Sequence, residues 1–259
     1  MVVAYYIVVI IIDTYLIVIA GVITAGILML MGFLKDRFYL KKPIKKIMIL
    51  GSKGKMGKYF VNAFKEKYLI LEVDQNETLT FMNALEQKPD LILDFSLAGE
   101  ETSLYLKEAL KKRIPIISGV TGRKKEVFRE LEKLSRKYKT SFIYKPNYTK
   151  GIFFIKEWLE SISDFGYKFR LEECHLPSKK DTPSGTALYL AETMHISPQS
   201  IVSNRIENSI PTHKIIIESE SEEVVIMHKI KSKEAYLEMI EKYLKEIEKR
   251  YILDITKVE

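Results

Sequence analysis

Short apolar runs alternate with longer segments of mixed polarity between residues 46 and 144. Five runs predict buried strands: KIMIL ahead of Gly51, LILEV at 69–73, LILDF at 91–95, PIIS at 115–118 and SFIY at 141–144. The segments between and after them predict helices over 55–67, 79–87, 100–112 and 123–138. Strands that alternate with helices are typical of a parallel sheet with right-handed crossovers, so the pattern predicts an α/β fold.

The second half of the chain shows a different pattern. β-rich runs at 167–173, in KIIIES and in EEVVIMH predict one further sheet. Residues 232–249 predict an amphipathic helix, and we interpret its apolar stripe as core-facing. That stripe consists of Tyr236, Leu237, Ile240, Tyr243, Leu244 and Ile247.

The N-terminal region contains an apolar run without charge at residues 16–34. Its 19 residues are enough to cross a bilayer as a helix. Basic residues follow from Lys35 onward, and the positive-inside rule places that end in the cytoplasm. The run therefore predicts a transmembrane anchor. A buried core helix is an alternative, and so is a translation start further along the chain, near Met48.

Composition and charge narrow the class of protein. The 259 residues are 47% hydrophobic and 29% charged, as in globular proteins. The single cysteine, Cys174, excludes an internal disulfide and fits a reducing compartment. The net charge of +7 comes from lysines spread along the chain. This charge would suit nucleic acid or a membrane surface, and it would suit a small anionic substrate equally well. Of these partners we expect the small anionic substrate and no nucleic acid.

A glycine-rich turn, 51-GSKGKMG-57, follows the first predicted strand and precedes a helix. Glycines at 51, 54 and 57 permit a tight turn and the close approach of a pyrophosphate to backbone N–H groups. The spacing departs from the stricter G-x-G-x-x-G, and a purely structural turn is the alternative. Its position in a βαβ unit favours dinucleotide binding.

Asp74 ends the second predicted strand, at the position where an acid can accept the ribose 2′-OH of NAD. The same carboxylate would repel a 2′-phosphate, whereas Lys53 and Lys55 could bind one. NADH is therefore the expected cofactor, with NADPH also usable. The alternative is that Asp74 is only a turn residue at a strand end.

Three further loops lie at the carboxyl ends of predicted strands, where open α/β sheets bind ligands. They are 94-DFS-96, 119-GVTG-122 and 146-PNYTKG-151, and each taken singly is ordinary turn chemistry. A fourth segment, 172-EECHLPSKKDTPSGTAL-188, gathers an imidazole, two ammonium groups and a helix start. Taken alone, this last segment also fits a satisfied His in a basic loop and an ordinary helix cap, so the rest of the chain must show what its charged groups act on.

Taken together and in order, these segments resemble the 4-hydroxy-tetrahydrodipicolinate reductase family over residues 46–259. ECHLPSKKDTPSGTA is similar to the family's E-x-H-H-x-x-K-x-D-x-P-S-G-T-A signature, which is long and specific. GSKGKMG, DFS, GVTG and PNYTKG resemble its G-x-x-G-x-M-G, D-F-S/T, G-T-T-G and P-N-F-S-x-G loops.

The resemblance implies a reductase of the diaminopimelate route to lysine, acting on a cyclic imine with two carboxylates. It implies that His175 is the proton donor and that Lys179 binds a substrate carboxylate. Free N–H groups of Ser184, Gly185 and Thr186 at a helix N-terminus are expected to complete this clamp. The implied cofactor-binding residues are Gly51, Lys53, Gly54, Lys55, Met56, Gly57, Asp74, Phe95, Ser96, Gly119, Thr121 and Asn147.

These predictions divide the chain into four parts. Residues 1–45 hold the anchor and a basic linker, and residues 46–147 a Rossmann-like dinucleotide-binding domain. Residues 148–250 form an α+β domain for substrate binding and oligomerisation, and residues 251–259 return to the first domain. The resemblance implies a homotetramer, and we expect the catalytic part in the cytoplasm, tethered to the membrane if residues 16–34 span it.

Two departures from the family pattern leave other functions open. Leu176 stands where the family has a second His, and Val120 stands where it usually has Thr. A reductase of a different small carboxylate is therefore the second hypothesis, and a non-catalytic nucleotide-binding module at a membrane is the third. The pairing of His175 with Lys179 argues against the third. We expect no metal site, and we interpret His213 and His228 as sheet-surface or packing residues.

Overall fold

The computed structural model describes residues 23–24, 43–74, 80–162 and 166–255, and the chain from Pro43 onward forms one packed unit. Its larger sheet consists of β1 (Lys46–Leu50), β2 (Leu69–Val73), β3 (Leu91–Asp94), β4 (Ile116–Ser118), β5 (Phe142–Tyr144) and β10 (Leu253–Ile255). The strand order is β10-β5-β4-β3-β1-β2, and every pairing is parallel. All five strands predicted from the apolar runs are confirmed.

Both faces of this sheet are buried, as the unbroken apolar runs predict for a parallel sheet. On β1, Ile47 and Ile49 pack on one face, while Met48 and Leu50 pack on the other. None of the four is more than 3% exposed. Helices must therefore cover the sheet on both sides.

The helices are α1 (Lys55–Phe64), α2 (Phe81–Glu86), α3 (Glu100–Lys111), α4 (Lys125–Tyr138), α5 (Lys150–Ile162), α6 (Gly185–Thr193) and α7 (Glu234–Ile247). Helices α2, α3 and α4 pack on the face that carries Met48 and Leu50. Helices α1 and α7 pack on the face that carries Ile47 and Ile49. The result is a three-layer, Rossmann-like α/β/α arrangement.

The position of α7 differs from the predicted domain division. The division places residues 148–250 in the second domain, but Ile240, Leu244 and Ile247 of α7 pack against the larger sheet. The amphipathic stripe correctly indicates a buried face. Such a stripe does not specify which of two sheets covers it.

The second sheet consists of β6 (Lys168–His175), β7 (Val202–Arg205), β8 (Thr212–Glu218) and β9 (Glu223–Lys229), in the order β7-β6-β8-β9. Strands β6 and β7 are parallel, and the other pairings are antiparallel. Helices α5 and α6 pack on one face around Leu171, Leu190 and Ile215. On β9, Val225 and Met227 are about half exposed on the other face, which we call the open face.

Strand β10 returns to the edge of the larger sheet, beside β5. The Lys145 ammonium, at the end of β5, lies 2.6 Å from Asp254 Oδ1 on β10. Tyr243 of α7 also donates a hydrogen bond to Asp254. These contacts connect β10 and α7 with the end of β5 in the larger sheet.

The predicted anchor at residues 16–34 lies outside the described residues, apart from positions 23 and 24. Within the described part of the chain, no helix is both long enough and apolar enough to cross a membrane. The alternative start near Met48 would shorten the first strand. It would remove Lys46 and Ile47 from β1, a strand paired on both sides.

Candidate active site

A cavity of about 660 Å³ opens where the carboxyl ends of the parallel strands approach the second sheet. The predicted site residues in its wall are Lys55, Met56, Phe95, Gly119, Thr121, Asn147, His175, Lys179, Ser184, Gly185 and Thr186. Outside this wall, the neighbouring loops contain Gly51, Lys53, Gly54, Asp74 and Ser96, and α1 contains Gly57. The structure thus gathers the expected proton donor, carboxylate clamp and nicotinamide-side loops around one space.

The glycine-rich turn after β1 has the geometry that a pyrophosphate needs. Gly51 has φ +83°, and a Cβ there would lie 2.6 Å from the carbonyl oxygen of Phe95. A Cβ on Gly57 would lie 2.0 Å from the carbonyl oxygen of Gly51, so α1 can pack this close only without one. Gly54 precedes α1 without a side-chain cap, which leaves N-terminal N–H groups for an anion. The turn therefore fits a dinucleotide.

Asp74 and Lys53, two of the three charged residues expected to select the cofactor, have partners in the turn or on the neighbouring strand β2. The Asp74 carboxylate accepts a hydrogen bond of 2.9 Å from the backbone N–H of Lys53. The Lys53 ammonium lies 3.2 Å from Glu72 Oε2. Asp74 therefore fixes the glycine-rich turn in addition to its expected role at the ribose, and Glu72 offsets the charge of Lys53.

A buried ion pair joins the loops that follow β3 and β4. Arg123 Nη2 lies 2.9 Å from Asp94 Oδ2, and both side chains are about 1% exposed or less. The hydroxyls of Ser96 and Ser118 donate to the same carboxylate at 2.6 and 2.7 Å. The Ser96 hydroxyl therefore donates to a buried carboxylate. This network fixes the loops that carry Phe95 and Gly119.

Two contacts connect the cofactor side with the substrate side. Asn147, after β5, donates from Nδ2 to the Thr186 hydroxyl at 2.9 Å. A Cβ on Gly185 would lie 2.4 Å from Cγ2 of Thr121, so the start of α6 packs directly on the loop after β4. The absence of a side chain at Gly185 brings the start of α6 close to the loop after β4.

The expected proton donor, His175, is 8% exposed at the end of β6. Its Nδ1 lies 3.5 Å from Oε2 of the fully buried Glu173, and its ring lies 5.3 Å from that of His213. Burial lowers the pKa of His175, and the charges of Lys179 and Arg205 lower it further, while Glu173 opposes them. Burial also lowers the pKa of His213 to about 3, so that imidazole stays neutral.

Glu173 is a central partner in the site that the sequence did not reveal. Its Oε1 accepts hydrogen bonds from the backbone N–H of Ser184 at 3.0 Å and from Arg205 Nη2 at 3.1 Å. Burial raises the pKa of Glu173, but these hydrogen bonds outweigh burial and lower the pKa below its ordinary value. The ionised carboxylate thus holds the strand, the start of α6 and the guanidinium together.

The structure corrects the expectation of free N–H groups at the start of α6. The Ser184 N–H donates to Glu173, and the Gly185 N–H donates to Asp181 Oδ2 at 3.3 Å. The Lys179 ammonium also lies 2.8 Å from the Asp181 carboxylate. Pro183 precedes the N-cap residue Ser184, so it lies outside the first turn of the helix.

Glu173, His175 and His213 together form a set of the type that can bind a metal, since their ligand atoms all lie within 4.8 Å of one another. Two imidazoles and a carboxylate are ligands that Zn²⁺ accepts. The guanidinium of Arg205 already supplies a positive charge 3.1 Å from this carboxylate. We therefore interpret the cluster as an ion-pair network around the proton donor.

The signature substitution at position 176 lies in the cavity wall. Leu176 is 38% exposed there, and Ile230 lines the same cavity. Four lysines join Lys179 around the cavity: Lys55, Lys180, Lys231 and Lys233. Val120, the other departure, is buried beside the wall and is 5% exposed. The site is therefore electropositive, as an anionic substrate requires.

Sequence reasoning missed the roles of Glu173, Asp181, Arg205 and His213. Glu173 and Asp181 belong to the segment 172–188, so their chemistry is visible in the sequence but their partners are not. Arg205 lies on β7, a short polar edge strand that no apolar pattern predicts. His213, expected to be a sheet-surface or packing residue, lines the cavity at 1% exposure.

A parallel sheet with a glycine-rich turn after its first strand, and a cavity at the carboxyl ends of its strands, is typical of an NAD(P)-dependent oxidoreductase. Residues 45–148 match the family described as "Dihydrodipicolinate reductase, N-terminus", and residues 151–256 match "Dihydrodipicolinate reductase, C-terminus". The chain belongs to the dihydrodipicolinate reductase family. Its activity is reduction of 4-hydroxy-tetrahydrodipicolinate with NAD(P)H, in diaminopimelate and lysine biosynthesis.

Individual relatives agree with this assignment. The 4-hydroxy-tetrahydrodipicolinate reductase of Thermosipho africanus (strain TCF52B) is 30% identical over 194 residues, which cover 73% of this chain and 84% of the relative. The enzyme of the same name from Clostridium tetani (strain Massachusetts / E88) is 32% identical over 193 residues, which cover 66% and 74%. A dipicolinate-bound dihydrodipicolinate reductase from Paenisporosarcina sp. TG-14 shares the fold, with TM-score 0.66 and 18% identity over 82% of this chain and 97% of that one.

Proposed function

We propose that His175 delivers the proton and Lys179 binds a substrate carboxylate when this enzyme reduces 4-hydroxy-tetrahydrodipicolinate. One observation supports this most directly: both residues line the same cavity as Phe95, Gly119 and Asn147, which follow the strands of the nucleotide-binding sheet. When bound, the nicotinamide supplies the hydride. The side chains of the second sheet orient the substrate and supply the proton.

The chain's own residues perform three tasks in this proposal. The Lys179 ammonium and the N-terminus of α6 hold one carboxylate of the substrate, as a cation and a helix N-terminus do for anions. Conversion of 4-hydroxy-tetrahydrodipicolinate to tetrahydrodipicolinate takes up one hydride and one proton and releases the 4-hydroxyl group as water. His175 donates the proton to the centre that becomes electron-rich as hydride arrives. A bound dicarboxylate places negative charge beside the imidazole and raises its pKa, which favours the protonated form.

We expect His175→Gln or Lys179→Ala to lower kcat/KM by about 10²-fold or more, because each removes a group that acts only on the substrate. NADH affinity, measured by fluorescence titration, should change little, since neither residue belongs to the Gly51–Gly57 turn. Glu132→Gln is the matched control, because Glu132 lies on α4, outside the cavity wall, and pairs with the exposed Arg136. Turnover at the wild-type level in the His175 variant would exclude this mechanism.

We also propose that Asp74 gives NADH the advantage over NADPH. Asp74→Asn is the sharper variant, because the amide oxygen can still accept the Lys53 N–H that fixes the turn. Removing the negative charge should raise the NADPH/NADH ratio of kcat/KM about 10-fold. An unchanged ratio in initial-rate assays would show that Asp74 is only an anchor of the turn.

We further propose a homotetramer in which the open face of the second sheet is covered by another copy. Val202, Val225 and Met227 each expose about half of their surface on this face, alongside charged side chains such as Arg170. Apolar side chains of this number on one sheet face are typical of an interface. A monomer mass in light scattering would contradict this proposal.

A further inference from the structure

The two groups proposed to clamp the substrate carboxylate are both occupied by a carboxylate of the chain itself. Lys179 Nζ lies 2.8 Å from the Asp181 carboxylate. The backbone N–H of Gly185, at the start of the nine-residue helix α6, donates to Asp181 Oδ2 at 3.3 Å. One side chain thus reproduces the cation and helix N-terminus contacts that a bound carboxylate would make.

Asp181 differs from Glu173, the other carboxylate at this helix start, in its freedom to move. The Glu173 side chain is fully buried on β6, whereas the Asp181 side chain is 42% exposed in the irregular loop before α6. The loop backbone itself is fixed, because Arg205 Nη2 donates to the carbonyl oxygen of Asp181 at 2.6 Å and to the Thr182 hydroxyl at 3.0 Å. The Asp181 carboxylate can therefore leave by side-chain rotation alone.

We propose that Asp181 is a tethered carboxylate that fills the substrate-carboxylate subsite of the free enzyme and rotates away when substrate binds. This inference rests on the proposed role of Lys179 and deepens it. In the free enzyme Asp181 keeps the Lys179 ammonium aimed at the subsite. On binding, the substrate carboxylate takes over both contacts, so a weak monocarboxylate competes poorly while a dicarboxylate with a second point of contact displaces Asp181.

The exchange has a measurable cost in affinity. Every ligand carboxylate must displace two charge-assisted contacts before it gains its own. Asp181→Asn keeps an oxygen that can accept the Gly185 N–H and keeps the shape of the side chain, but it removes the charge that competes for Lys179. We therefore expect Asp181→Asn to bind a dicarboxylate about 10-fold more tightly and to lower KM by a similar factor.

The experiment is calorimetric titration of the NADH-loaded full chain with dipicolinate, combined with initial-rate kinetics. The variants are Asp181→Asn, Asp181→Ala and Asp181→Glu, and the control is Glu132→Gln on α4, which should match the wild-type enzyme. The first two should tighten binding, and Asp181→Glu, which keeps a competing carboxylate, should stay near wild type. NADH affinity reports whether each variant is folded.

The outcomes separate this inference from the proposed function. Equal or weaker dipicolinate binding in both Asp181→Asn and Asp181→Ala, with wild-type NADH affinity, overturns the tethered carboxylate but leaves the clamp intact. Binding that is absent in the wild-type enzyme and present in Asp181→Asn supports the inference. Binding that is absent in all variants shows that no carboxylate subsite exists, and then both proposals fail.

Discussion

The His175 imidazole lies among groups of opposite charge, and their balance determines when it carries a proton. Burial, Lys179 and Arg205 lower its pKa, while Glu173 and Asp181 raise it. The balance in the free enzyme favours the neutral ring, although a proton donor must begin protonated. The bound substrate has to change that balance.

This imbalance predicts a specific pH dependence. The acid form of His175 is lost as pH rises through its pKa. Because kcat/KM reports the free enzyme, it should begin to fall at a pH below about 6.5, the ordinary pKa of histidine. The fall in kcat should occur at a higher pH, because the substrate carboxylates raise the pKa of His175 in the enzyme–substrate complex. Rate profiles between pH 5 and 9 check both limbs. Identical limbs in kcat and kcat/KM would contradict substrate-assisted protonation.

Single residues also show how much of the site is predictable from the sequence. His175, Lys179 and Ser184 lie within one segment of ten residues that matches the family signature, and all three line the cavity. The partners that decide their behaviour come from elsewhere in the chain. Arg205 contacts the segment because β7 pairs with β6. The pairing register of two distant strands cannot be predicted from the local amino-acid composition.

Among the elements, β3 and β4 illustrate how strand ends are fixed beside a binding site. Asp94 ends β3, and Ser118 ends β4, and both contact the buried Arg123 guanidinium. A charge buried without its partner is costly, whereas an exposed pair contributes little. This pair therefore has consequences for stability as well as for the cofactor loops.

Arg123→Met should lower the free energy of unfolding by about 3–5 kcal/mol, because Asp94 would remain buried without its counter-charge. The matched control is Arg136→Met, which breaks an exposed pair with Glu132 on α4 and should cost about 0.5 kcal/mol or less. Urea denaturation measures both changes. Equal losses in the two variants would show that the Asp94–Arg123 pair is not acting as a buried ion pair.

The elements differ in how well the sequence predicts them, and the reasons are physical. Strands β3, β4 and β5 are buried along their whole length and β1 from Ile47 onward, so each appears as an apolar run that contrasts with its surroundings. Strand β7, VSNR, is an edge strand with polar positions and gives no such contrast. Strand β10 is predicted only as a return to the first domain, because its pairing with β5 depends on a contact over more than 100 residues.

At the scale of the whole molecule, the cavity and both sheets are built without the N-terminal run. The described residues from Pro43 to Ile255 contain both sheets, their cores and the cavity. The first strand begins at Lys46, and Ile44 ahead of it is buried and donates its backbone N–H to Glu248 at 2.8 Å. A shortened chain must therefore keep Ile44 if the larger sheet is to retain its packing on α7.

We propose that residues 16–34 anchor the enzyme with its catalytic part on the cytoplasmic face, because six basic residues follow the uncharged run. A chain that begins at Pro43 should stay in solution and reduce substrate with the kcat of the full chain, since it keeps Ile44 and every site residue. The full chain should sediment with membranes and resist extraction by high salt, which removes proteins held by charge alone.

Fractionation followed by activity assay tests this, and mass spectrometry of the native N-terminus identifies the first residue of the mature chain. A mature chain whose first residue lies between 35 and 45 would contradict the anchor proposal and leave the enzyme assignment unchanged. An active enzyme that starts at Met48 would show that the sheet does not need the first half of β1.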